Sequence, residues 1–162
     1  MAVRSDRVLA DAGSGDLRKV AALLFGEAHV PCRRLSSALD VHDLLLTGLP
    51  PSALDHLIGQ LALIDKTVVL AKAFGMSPRA WRRRKAAPSK PLSQEQSGRA
   101  WKFAEILAKA TDVLGSQAEA ELWLLRPAIG LDQRRPIDLL GTPVGVELLE
   151  NHLERLKYCV YA

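Results

Sequence analysis

With 162 residues and a net charge of +4, the chain can bury one ordinary core or two small ones sharing an interface. Apolar residues make up 48% and aromatics only 5%, with Leu and Ala dominant, a balance that favours helices over sheets. No run is apolar enough to span a membrane and no basic, then apolar, then small-residue leader opens the chain, so a cytoplasmic protein is expected.

Residues 1–15 mix charge with Ala-Gly-Ser-Gly and carry little apolar period, so a loose arm is expected there. Gly13-Ser14-Gly15 is no phosphate loop, because no strand runs into it and no Lys-Ser/Thr pair follows. Asp16 is placed to cap a short helix carrying Leu17, Val20, Ala21, Leu24 and Phe25 and ending at Gly26. Val30-Pro31-Cys32 reads as an extended connection. Leu39, Leu44, Leu45 and Leu46 form a short apolar element compatible with helix or strand, broken by Gly48-Leu49-Pro50-Pro51. Ser52 then caps a helix with Leu54, Leu57, Ile58 and Leu61 on one side.

Between Lys66 and Phe74 a helix is predicted with Val69, Leu70 and Ala71 inward, turned sharply by Gly75 and anchored by Met76. Ser77 and Pro78 open the next helix, which directs Ala80 and Trp81 inward. A small residue at Ala71, glycine four later and a bulky apolar residue at Trp81 make the spacing of a helix-turn-helix. Arg84 departs from it, standing where another apolar residue is usual. Lys66, Lys72, Arg79, Arg82, Arg83, Arg84, Lys85 and Lys90 crowd this stretch without one acidic residue. Such a patch binds phosphates by releasing counterions, and arginine matches the paired acceptors of guanine. Ser77, Arg79, Arg82 and Arg83 are the candidate groove-facing side chains, with operator DNA as the expected ligand.

Ala86-Ala87-Pro88-Ser89-Lys90-Pro91 reads as a proline-stiffened linker. Ser93 and Gln96 form a capping box for the longest helix, whose apolar face is Ala100, Phe103, Ala104, Leu107, Ala110 and Leu114 and whose end is Gly115. Trp101, off the centre of that face, is assigned to the core. A shorter helix, Ala118 to Leu125, directs Leu122 and Leu125 inward, with Trp123 as a core residue. Ile129-Gly130-Leu131 makes a compact loop, and Pro136 to Leu140 a short apolar turn with Gly141 as its left-handed stop. Thr142 and Pro143 begin the last helix, whose face is Val146, Leu149, Leu153, Leu156 and Val160. Glu147, Glu150, Asn151, Glu154 and Arg155 fill its other side. Two tyrosines and a valine at a terminus, where polar residues are usual, imply docking on the core or retention for a partner.

Several of these residues carry a family resemblance: Arg126-Pro127, Arg135-Pro136-Ile137-Asp138-Leu139-Leu140, Thr142, Gly145 and Val160-Tyr161-Ala162. Together they resemble the toxin-binding domain of Xre/MbcA/ParS-type antitoxins, over roughly the last hundred residues. One departure is Cys159, where the pattern has glycine. The resemblance implies an all-α fold, a basic helix-turn-helix followed by a small helical toxin-binding domain. It also implies a cognate RES-domain toxin that consumes NAD or transfers ADP-ribose from it, neutralised by direct binding. The expected organisation is an arm with a short helix at 1–35, the helix-turn-helix at 36–90, and the connecting helix with the toxin-binding domain at 91–162. Toxin contact is expected from Arg126, Arg135, Leu156, Tyr158, Val160, Tyr161 and Ala162, the tail filling the toxin's pocket and its carboxylate mimicking an anionic ligand. A homodimer within a hetero-oligomeric complex is the expected assembly.

An enzyme is not expected. His29, His42, His56 and His152 are scattered, with no His-Glu-x-x-His and no Gly-x-Ser-x-Gly, and His56 and His152 fall near polar helix faces as solvated side chains. No cofactor or metal is implied, and Cys32 and Cys159 read as free thiols. Two other readings stay open: a stand-alone repressor that dimerises through its C-terminal domain on a palindromic site, and an adaptor that ignores DNA.

Overall fold

The apolar face that runs from Ala100 to Leu114 becomes the helix on which four others are packed. In the computed structural model the backbone is described for residues 5–26 and 35–161, and the side chains for 15–26 and 35–159. The described residues form α1 (Ser5–Phe25), α2 (Ala38–Thr47), α3 (Pro51–Gln60), α4 (Lys66–Lys72), α5 (Pro78–Ala86), α6 (Gln94–Leu114), α7 (Gln117–Leu125), α8 (Pro136–Leu139) and α9 (Pro143–Tyr161). A 3-10 turn, Ile129–Leu131, lies between α7 and α8, and no strand occurs among the described residues. The fold is all-α.

Ser93 accepts from the Gln96 amide, Gln96 answers on the Ser93 amide, and Gly115 closes α6 in a left-handed conformation. Within α6, Ala100, Phe103, Ala104, Leu107 and Ala110 are buried, and so are Trp101 and Ile106 on its flanks. Burial on so broad an arc follows from contact with α1, α2, α7 and α9 at once. Trp101 is a core residue, its indole N–H satisfied by Glu105 Oε1 at 2.9 Å. Phe103 meets Phe74 edge to face at 5.6 Å, joining α6 to the end of α4. One continuous apolar cluster therefore runs from Val20 to Leu153.

Several expectations need correction. The first helix does not begin at Asp16: α1 runs from Ser5 through Gly13-Ser14-Gly15. Two glycines each cost a helix only about 1 kcal/mol, and α1 buries Val20, Ala21 and Leu24 against α3 and α6. The apolar element at Leu39–Leu46 is a helix, set by the reciprocal cap of Ser37 and Asp40. Ser52 does not cap α3; Pro50 holds the N-cap position, with Pro51 as the first helical residue. In α7 the buried residues are Ala120, Glu121 and Leu124, whereas Leu122 and Leu125 are half-buried. Gly141 is not left-handed, so it is not the stop expected for α8. Residues 86–91 are exposed, and just past them the chain is held where the Leu92 amide donates to Leu49 O at 2.9 Å and the Leu49 amide to the buried Ser97 hydroxyl at 2.9 Å. The Val30-Pro31-Cys32 connection and the thiol of Cys32 lie outside the described residues.

Glu121, fully buried on α7, was not singled out in the sequence. Its Oε2 accepts from three consecutive amides, Ala62 (3.1 Å), Leu63 (2.6 Å) and Ile64 (3.1 Å), in the loop between α3 and α4. Its Oε1 accepts from Gln117 at 2.9 Å, and Gln117 also donates to Gln60 O at 2.8 Å. Burial alone raises the carboxyl's pKa, but Gln117 and the Leu63, Ala62 and Ile64 amides outweigh it and hold it below the ordinary value. A lowered pKa contributes stability that is present above the unfolded value of 4.5 and lost as pH falls through the folded one. Glu121→Ala, which orphans these amides, is expected to cost roughly 2–4 kcal/mol by denaturant unfolding. Glu121→Gln is expected to make the loss of stability below pH 4.5 smaller than in the wild type, by the share that Glu121 contributes.

Candidate functional site

The helix-turn-helix stretch is built from local rules. Asp65 accepts from the Thr67 amide at 2.8 Å and starts α4. The chain leaves α4 by a Met76 amide bond to Leu70 O at 2.8 Å, with Gly75 at φ +60°. A Cβ at Gly75 would also press on the Arg99 guanidinium, whose Nε donates to Ala73 O at 2.9 Å and so satisfies the end of α4. Ser77 accepts from the Ala80 amide at 3.1 Å, Pro78 takes the first helical position, and Trp81 is buried to 2% exposure. One element of the spacing argument is overturned: Ala71 is exposed, and Val69, Leu70, Ala73 and Phe74 are the buried residues there. The close approach therefore rests on Trp81, with α5 packed on α3 and α4.

Arg79, Arg82 and Arg83 are exposed on α5, and Ser77 is exposed at its cap. Arg79 and Arg83 stand one turn apart on a face turned away from Trp81. Among the described residues, none of the three arginines makes a side-chain hydrogen bond or ion pair. Lys72 and Lys85, by contrast, pair with Asp138 and Asp55, both at 3.0 Å. The patch open to an external anion is thus smaller than eight cations, and it is centred on the arginines. Arg84 is half-buried, so the helix continues to Ala86 without the expected apolar residue.

At the C-terminal end, Arg126 is exposed where α7 stops, and an isolated bridge between Ala128 and Arg134 closes the next loop. Arg135 holds Asp138 through Nε (2.9 Å) and Nη2 (3.1 Å). The Arg135 guanidinium first, then Lys72 against the effect of burial, keeps the Asp138 carboxyl below the usual range. The Thr142 hydroxyl accepts from the Gly145 amide at 3.0 Å and starts α9. Gly145 has no room for a Cβ, which would collide with the Leu139 carbonyl. Leu149 and Leu153 are buried, and Val146 and Leu156 are half-buried against the same core. Tyr158 is 75% exposed, and Cys159 is a free, exposed thiol. The side chains of Val160 and Tyr161, and Ala162 altogether, lie outside the described residues. A groove of about 390 Å³ runs between α6 and the start of α9, lined by Arg99, Phe103, Leu140 and Val146, but by none of the expected contact residues.

Residues 40–105 match the family model of the antitoxin Xre-like helix-turn-helix domain. Residues 109–158 match that of the antitoxin Xre/MbcA/ParS C-terminal toxin-binding domain. The chain belongs to the Xre/MbcA/ParS-type antitoxins. No curated protein matches it. The two matched regions of this antitoxin meet inside α6, so a single buried helix carries the end of one domain and the start of the other. No helix among the described residues is long and apolar enough to cross a membrane.

His152 corrects another expectation. Far from being solvated, it is half-buried, stacked on Trp123 at 6.1 Å with the rings 6° from parallel, and a Cβ at Gly130 would strike it. Trp123 itself is half-buried, with its indole nitrogen unpartnered among the described residues. Burial, then the charge of Arg155, lowers the His152 pKa, so its neutral form belongs to the fold and stability is lost as pH drops below about 6.5. NMR titration is expected to place His152 below the ordinary imidazole value, and Arg155→Ala is expected to move it upward.

Proposed function

We propose that this antitoxin neutralises a RES-domain toxin, an enzyme that acts on NAD, through Arg126, Arg135, Leu156, Tyr158, Val160, Tyr161 and Ala162. In the same reading it represses its own operon as a homodimer, through Ser77, Arg79, Arg82 and Arg83. The resemblance of the Arg135–Leu140 and Val160–Ala162 segments to the family pattern supports the choice of toxin class. The observation that carries the toxin contact is the end of α9. Among the described side chains of this helix Leu153 is the last that is buried, Leu156 is half-buried against the core, and Tyr158 and Cys159 face solvent. An exposed aromatic just past the helix's last described contact with its own core supports a role in contact with another protein. The exposed arginines of α5, without a partner among the described residues, support the DNA contact.

Deleting Tyr158–Ala162 is expected to abolish protection when the antitoxin is co-expressed with the RES-type toxin encoded beside it, with thermal unfolding unchanged because these residues lie beyond Leu153. Retained protection would refute the tail's role. For the operator, a gel shift across salt concentrations is expected to give a log–log slope of roughly −4 to −5. Arg79→Ala, Arg82→Ala and Arg83→Ala together are expected to reduce that slope by up to about 3 and to release the promoter fragment. A shift that persists unchanged would remove α5 from the interface.

A further inference from the structure

Helix α2 spends only part of its apolar surface on the core. Val41 is buried and Leu44 and Leu45 are half-buried, while Leu39 is 74% and Leu46 49% exposed. These two leucines lie seven residues apart, two turns along one side of the helix. Between them on that side stand His42 and Asp43, both exposed. Neither His42 nor Asp43 has a side-chain hydrogen bond or ion pair among the described residues. Asp40, the other carboxylate of α2, is already taken, accepting from the Ser36 amide (2.8 Å), the Ser36 hydroxyl (2.9 Å) and the Ser37 amide (2.9 Å).

We propose that this face of α2 is where two copies of the chain meet, antiparallel, about a two-fold axis passing between His42 and Asp43. The sequence order of the four residues is self-complementary under that operation. Leu39 falls opposite Leu46 of the second copy, and His42 falls opposite Asp43 of the second copy, each pairing occurring twice. Leucines at the two ends exclude water, and the polar pair at the centre fixes register, because a slip of one residue sets like beside like or charge beside leucine. The pairing uses no residue of α5, since α2 packs on α6 whereas α5 packs on α3 and α4. A ten-residue helix is only about 15 Å long, so the contact is smaller than a standard stable interface and the dimer is concentration-dependent. Binding of both helix-turn-helix units to neighbouring half-sites then raises the effective concentration of one copy for the other.

This inference rests on the dimeric state proposed above, and sedimentation velocity of the full chain over a concentration series separates the two. The wild type is expected to show a monomer–dimer equilibrium, and Leu39→Lys and Leu46→Lys are each expected to leave only monomer with an unchanged circular dichroism spectrum. His42→Asp and Asp43→Arg are each expected to weaken dimerisation by about tenfold, and the double variant to restore it. A wild type that stays monomeric throughout overturns the dimer and the surface together. A dimer that survives both lysine substitutions, or a double variant that fails to recover, overturns the surface alone. Capture of some other protein by α2 with no effect of these variants on self-association counts against it too. Toxin protection, scored in parallel on the wild type, decides the antitoxin reading independently.

Discussion

The relation between the two halves of the molecule depends on one carboxylate with its back to solvent. A loop of three consecutive residues, 62–64, leaves its amides pointing inward with no helical partner, and Glu121 takes all three. Desolvating a carboxylate costs several kcal/mol, and each charge-assisted amide bond returns about 1.5–3 kcal/mol. Four such bonds outweigh the burial, which is why the carboxyl's pKa is lowered, and they fix the loop's geometry as well. That loop leads directly into Asp65 and α4, and α7 lies within the region matched to the C-terminal domain. Gln117 on Gln60 and Lys72 on Asp138 add further polar ties across the same divide. The basic helix and the C-terminal helix are therefore parts of one rigid arrangement.

Such rigidity gives meaning to a family boundary that falls inside α6. Had the two matched regions been joined by a flexible tether, a protein bound at one end would do little to the other. Here the helix that receives α9 through Leu149 and Leu153 also carries Arg99, which holds the end of α4 beneath the turn at Gly75. Asp138 lies in the Arg135–Leu140 segment and reaches Lys72 in the basic stretch. Arg135 and Lys72, far apart in the chain, thus share the one Asp138 carboxylate.

Legibility from sequence followed the width of the buried face. Where one side of a long helix is apolar and the other charged, as in α6 and α9, periodicity named the core residues, and caps such as Ser93 with Gln96, Ser77 with Pro78 and Thr142 with Pro143 gave the starts. Short helices wedged among several neighbours were read less well. In α7, Ala120, Glu121 and Leu124 are inward because α6 and the 62–64 loop lie on that side, which no local pattern encodes. Ala71 fits the spacing of a helix-turn-helix and yet is exposed, because Ala73 and Phe74 take the buried positions. Glu119 and Glu121 look alike in the chain; only the loop waiting opposite distinguishes them. His152 was hidden for the same reason, since its stacking partner Trp123 sits on another helix.

The division of labour among the cations carries the reading of the basic face furthest. The two that the fold keeps for itself, Lys72 and Lys85, are lysines, compact charges that pair with Asp138 and Asp55. The three cations of α5 left exposed without a partner among the described residues are all arginines, and of the other cations in the stretch Lys66 and Lys90 are exposed without one as well. A surface that needed only positive charge for solubility would be served by either residue. A planar fork with five donors matches phosphate oxygens and the O6 and N7 of guanine in pairs, which an ammonium does not. Arg79, Arg82 and Arg83 also follow Ser77 and Pro78 within two turns of the α5 N-terminus, the end that in helix-turn-helix proteins reaches base edges. Placement and choice of cation on α5 are thus both what the proposed operator contact requires.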